Sequence, residues 1–137
     1  MENFIINRNS EIEEGKQLDI SEYGLKNGMT ISLYTTSGVW EGYIKPDEEA
    51  VKKGETEEKR LGMVINKLIY YIRVYRQDNR SNVFGFEVDL TRKGTTESIN
   101  FISYLGQKSE EDENPSITIL LPEELEGSRN NEQTKQS

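Results

Sequence analysis

The chain has 137 residues, enough for one domain, with 25 acidic against 17 basic side chains, a net charge of −8 and 33% hydrophobic residues. It contains neither cysteine nor histidine, which removes disulfides, thiolate metal sites, the commonest general base and the commonest transition-metal ligand. No apolar run reaches the length of a membrane span, and the opening MENFIINRNSEIEE has no basic stretch followed by an apolar one. The sequence therefore points to a cytoplasmic protein with no membrane partner.

In chain order, residues 3–6 read as a short strand and residues 7–17 as a polar, acidic loop. Lys26-Asn27-Gly28 is a turn signal, and beyond it Met29, Ile31 and Leu33 alternate with Thr30, Ser32 and Tyr34, the period of a half-buried strand. Thr35-Thr36-Ser37-Gly38 then serves as a tight connection to a returning strand over 39–45, with Gly42 marking a bulge. In the next segment Pro46 suits a first helical position, Asp47, Glu48 and Glu49 a first turn, Lys52 and Lys53 a last turn, and Gly54 a left-handed cap. A short helix near 46–53 is expected, with a solvated loop as the open alternative.

The densest apolar region begins at Leu61. Leu61, Ile65, Leu68, Ile72 and Tyr75 recur at helical spacing. Against that stand the β-branched Val64, Ile65, Ile69, Ile72 and Val74, interleaved with Tyr70, Tyr71 and Tyr75, types that fit pleated sheet better than helix. Two strands are expected, 61–66 and 68–76, turning at Asn66-Lys67. Phe84, Phe86, Val88 and Leu90 alternate cleanly with Gly85, Glu87 and Asp89, and a turn over 92–96 leads to Ile99, Phe101, Ser103 and Leu105 at period two. Residues 107–116 read as an acidic loop and 117–121 as a last strand ended by Pro122.

These elements predict a mainly β protein: a small antiparallel barrel or sandwich of about six to eight short strands. The domain would span residues 1–122, followed by a disordered acidic and polar tail over 123–137.

Charge is unevenly spread. Residues 59–93 hold eight basic and three acidic side chains, while the remainder carries a balance of −13. Acidic clusters occur at Glu11-Ile12-Glu13-Glu14, at Glu55, Glu57 and Glu58, and at Glu110, Glu111, Asp112 and Glu113. The last two clusters are the candidate contacts to another protein with a basic surface, as in acidic inhibitors and immunity proteins, because opposite charge speeds and orients association. The alternative is a small-barrel nucleic-acid-binding accessory protein. It would use Arg73, Arg76 and Arg80 for phosphates and Tyr71 and Tyr75 for base stacking.

No Gly-rich phosphate loop, nucleophile elbow or spaced metal-ligand pattern is present. The strand acids Glu41, Glu87 and Asp89 read as outward-facing polar positions. The expectation is a non-catalytic protein without cofactor or metal.

Overall fold

The fold is that of a computed structural model, which describes residues 8–75, 82–109 and 111–125. Its elements run α1 (Arg8–Glu13), β1 (Gln17–Asp19), α2 (Ser21–Lys26), β2 (Ser32–Thr36), α3 (Ser37–Val39) continuing as a π-helical turn (Trp40–Ile44), α4 (Glu48–Lys52), α5 (Glu57–Tyr75), β3 (Val83–Arg92), β4 (Thr95–Ser109) and β5 (Asp112–Leu120). The strands form one open sheet in the order β1-β2-β5-β4-β3. Neighbours are antiparallel except β2 and β5, which run parallel, with Leu33 opposite Ile117 and Tyr34 opposite Thr118. The protein is thus mixed α/β with an open sheet, and the mainly β barrel or sandwich is corrected.

The largest correction is α5, a 19-residue helix where two strands were expected. Its start is well signalled. The Thr56 hydroxyl accepts from the Lys59 amide at 3.1 Å, and Glu57 and Glu58 occupy the first turn, where the helix dipole favours negative charge. Helical pitch then gathers Leu61, Val64, Ile65 and Leu68 on one side, all at most 1% exposed, and sends Lys59, Asn66, Lys67 and Arg73 outward. A strand would have set Val64 beside Asn66 on one face and divided the apolar set between both. Full burial of each large apolar side chain contributes roughly 1.5–3 kcal/mol. A β-branched residue costs at most about 0.7 kcal/mol of helix propensity relative to alanine. Burial wins.

Three further segments differ from the sequence reading. Residues 7–17, read as a loop, contain α1. The returning strand of the first hairpin is helical instead, because Thr36 caps it: its hydroxyl accepts from the Val39 amide at 3.3 Å. Gly42 lies in the π-helical turn rather than in a bulge. The expected acidic loop over 107–116 is mostly strand, since β4 continues to Ser109 and β5 starts at Asp112. The short helix is α4, with Asp47 as its N-cap rather than Pro46 at its first position, and Gly54 follows it at φ 90°. The strand expected over 3–6 lies outside the described residues, as does the tail beyond 125. Residues 122–125 make a helical turn that buries Leu125.

The two sheet faces differ in kind. One carries Leu33, Phe86, Val88, Leu90, Phe101, Ile117 and Ile119 and packs against α5, forming the main core. Aromatic rings run through it, from Tyr71 on α5 to Phe86, then to Phe101, then to Tyr43 of the π-helical turn, at centroid separations of 5.7–6.0 Å. Across the other face Tyr34, Thr118 and Tyr104 form one row through β2, β5 and β4. That face is covered by Arg8 of α1 over the Tyr34 ring and by Leu125 packed with Tyr104 and Leu120.

Leu68 and Tyr70 would share a face in a strand, but in α5 they point to roughly opposite sides. Leu68→Ala is expected to cost about 2–5 kcal/mol of stability, and Tyr70→Ala, removing a side chain that is 55% exposed, less than about 1 kcal/mol. Denaturant unfolding of the two variants checks this, and equal losses would contradict the helix.

Candidate functional site

Arg8 is 1% exposed, and its guanidinium uses three separate donors. Nε donates to the Lys108 carbonyl at 2.9 Å, one terminal nitrogen to Gln17 Oε1 at 2.8 Å, and the other to the Ser116 hydroxyl at 3.2 Å. Its Cζ lies over the Tyr34 ring, 3.8 Å from the centroid. All three acceptors are neutral. Negative charge reaches it one step removed, because the Gln17 amide that accepts from Arg8 also donates to Glu11 at 2.7 Å. Burial pushes the Arg8 pKa down to about 10, opposed by the nearby charges of Glu11 and Asp19, so the group stays cationic at neutral pH. Burial also pushes the Tyr34 phenol up, with Asp19 and Asp112 adding to the effect and Arg8 opposing it. Asp19 thus bears on both Arg8 and Tyr34, Glu11 on Arg8 and Asp112 on Tyr34.

This anchoring brings α1 to the end of the sheet where β4 turns into β5. Exposed Glu111 and Glu113 flank Asp112 there, and Asp112 lies 4.0 Å from Lys108 and accepts from the Asn114 amide at 3.0 Å. Glu13 and Glu14, both exposed, belong to the same α1 segment. Glu110 lies outside the described residues.

The other acidic group sits elsewhere. Glu55 is 3.6 Å from Nε of Arg60, whose side chain is 2% exposed. Glu57 and Glu58 are exposed in the first turn of α5, with Glu58 3.4 Å from Lys26. Arg60 donates to the carbonyls of Tyr43 and Thr91, which fixes this region beside the β3–β4 turn. Between that turn and the β4–β5 turn lies the length of β4, 15 residues, or roughly 50 Å of extended chain. The acidic residues singled out in the sequence thus fall at opposite ends of the sheet and make no single surface.

Beside Arg60 a cleft of about 270 Å³ is lined by Glu41, Lys45, Asp47, Arg92 and Lys93, among others. Two of its cations have local partners: Lys45 is 4.0 Å from Glu41, and Arg92 lies 3.8 Å from Glu97 and 4.6 Å from the Tyr43 ring centroid. Asp47 has a structural task here. One carboxylate oxygen caps α4 by accepting from Ala50 at 2.8 Å, and the other accepts from the Lys93 amide at 2.9 Å. Lys93 and Gly94 connect β3 to β4 with φ of 51° and 79°, the pair of positive values that a type I′ turn requires. The Asp47 bond helps to hold a lysine in a conformation that side chains rarely adopt.

The basic and aromatic residues singled out in the sequence are also dispersed. Arg73 is on the outer side of α5, whereas Tyr71 points inward against Phe86. Arg76, Arg80 and the side chain of Tyr75 lie outside the described residues. Arg73 borders a groove of about 430 Å³ whose walls include Met29, Ile31, Ile69, Ile72, Leu105 and Ile117. Sequence reasoning missed this groove, because its walls come from four elements that only the fold brings together. It also missed Arg8, which has no distinguishing local pattern, and counted Arg60 with the exposed basic block.

Among the described residues no helix is long and apolar enough to cross a membrane, and no group of three or more acids is placed to hold a metal ion. Compared with protein-family models, curated proteins and solved structures, the chain finds no match.

The two backbone hydrogen bonds, from Lys93 first and Ala50 second, hold the Asp47 carboxyl below its ordinary value of 3.8. A depressed carboxyl pKa stabilises the fold fully above the unfolded value, and that contribution is lost as pH falls through the lower folded value. Asp47→Asn is therefore expected to unfold more easily than the parent at pH 7, with the difference shrinking below about pH 4. Denaturant midpoints measured at both pH values check this, and a pH-independent difference would contradict it.

Proposed function

We propose that this protein is a non-catalytic binding module of the inhibitor or immunity type, acting in the cytoplasm, which engages a basic protein surface through the acidic end of its sheet. The observation that carries the reading is the seating of buried Arg8, which donates to the Lys108 carbonyl, Gln17 and the Ser116 hydroxyl. It sets the start of α1 beside β4 and β5, next to the turn that carries exposed Glu111 and Glu113, with Glu13 and Glu14 exposed at the other end of the α1 segment. Buried Arg8, bonded to neutral acceptors only, is a fixed scaffold beneath a surface of opposite sign. Clustered like charges of this kind steer encounter with a basic partner.

The non-catalytic part of the proposal rests on the chemistry of the chain. Histidine and cysteine are absent from the sequence, and among the described residues the three groups with displaced ionisation, Arg8, Tyr34 and Asp47, each have a structural explanation. The nucleic-acid alternative gains no support from the placement of Arg73 and Tyr71 on different sides of α5.

Glu13→Gln, Glu14→Gln, Glu111→Gln and Glu113→Gln combined alters only exposed side chains and is expected to leave thermal stability nearly unchanged. The parent protein, immobilised and exposed to an extract of its native cells, is expected to retain a basic protein at low salt. That protein should be released as salt rises from about 0.05 M towards about 1 M, as screening shortens the reach of surface charge, and should not be retained by the variant. Equal retention by parent and variant would overturn the assignment of this surface.

A further inference from the structure

The groove beside α5 combines apolar walls with one cation. Ile69 and Ile72 of α5 form one side, Met29 and Ile31 of the segment before β2 another, and Leu105 and Ile117 belong to the adjacent strands. Its volume of about 430 Å³ falls within the range of small-molecule sites. Arg73 is the charged residue among the described residues of the lining. It is exposed and has no ion pair among the described residues, although the chain as a whole is acidic. Its position in the last turn of α5 suits the helix dipole, which holds a cation there without a carboxylate partner.

We infer that this groove binds a small amphiphilic monocarboxylate, its apolar body against Ile69, Ile72 and Ile117 and its carboxylate on the Arg73 guanidinium. The lining selects for this chemistry. Among the described lining residues a cation finds no acid, and a polyanion such as a nucleotide triphosphate finds a single positive charge among apolar walls that cannot solvate the rest. A neutral amphiphile gains the apolar contact but leaves the guanidinium without its charge-assisted bond. The inference rests on different residues from the acidic end of the sheet, so either can fail alone.

The test is a titration of the full chain with decanoate, decanol and decyltrimethylammonium, each below its self-association concentration, followed by isoleucine methyl NMR. Decanoate is expected to bind saturably and shift the methyls of Ile31, Ile69, Ile72 and Ile117. Decanol and the ammonium compound should bind at least 10-fold more weakly, a charge-assisted hydrogen bond corresponding to roughly 10- to 100-fold in affinity. Arg73→Gln should weaken decanoate about 10-fold or more without changing the thermal midpoint, and Arg73→Lys should retain part of the affinity. Absence of methyl shifts, equal binding of all three probes, or unchanged decanoate affinity in Arg73→Gln would each overturn the inference.

Discussion

A five-stranded sheet has two faces to cover, and a chain that is 33% hydrophobic has apolar side chains enough for one. The chain meets this constraint asymmetrically. On one face α5 supplies an apolar stripe, and Leu61, Val64, Ile65 and Leu68 close a conventional core over Phe86, Phe101, Leu33 and Ile119. The opposite face carries Tyr34, Thr118 and Tyr104 in a row, where a polar device replaces the stripe. A single guanidinium from α1 spreads its donors over β1, β4 and β5 and sits over an aromatic ring. Burying a cation in this way is costly unless its hydrogen bonds are made, and here three are made to neutral groups, with the Glu11 charge relayed through Gln17.

The surface follows from that asymmetry. Because the Arg8 contacts lie at Gln17, Lys108 and Ser116, the start of α1 comes to rest over β1, β4 and β5. Arg60 makes a comparable tie at the opposite end, joining α5 to the π-helical turn and to β3 through carbonyls of Tyr43 and Thr91. There Glu55 is drawn in as a partner, which takes it out of any free acidic surface. Two buried arginines thus sort the acidic residues into those that hold the fold together and those that face outward.

Much of the sheet was legible in the sequence. Period-two alternation through Phe86, Val88 and Leu90 reports a strand with one buried face, and that is how β3 lies. The capping order from Asp47 to Gly54 announced α4. The block from Leu61 to Tyr75 misled because residue type and spacing disagree in it. Val64, Ile65, Ile69 and Ile72 favour strand by propensity, while their intervals favour helix, and burial against the sheet outweighs the few tenths of a kcal/mol per residue at stake. Thr56 followed by two glutamates was the local signal for the helix start. Charge proximity along the chain also failed to become proximity in space, since helical pitch turns Arg60 inward and Arg73 nearly to the opposite side. Arg8 was illegible on principle, because its acceptors on Lys108 and Ser116 lie about a hundred residues away.

The account depends on Arg8 being seated beneath α1, and the side chain itself can be observed. NMR of an arginine-labelled protein reports the Arg8 Nε–H, which donates to the Lys108 carbonyl at 2.9 Å, and the side-chain protons near the Tyr34 ring. Slow exchange of this Nε–H with solvent, together with side-chain protons shifted by the ring, is the expected result. Rapid exchange with free-arginine shifts would mean that α1 is undocked and that the second face is open.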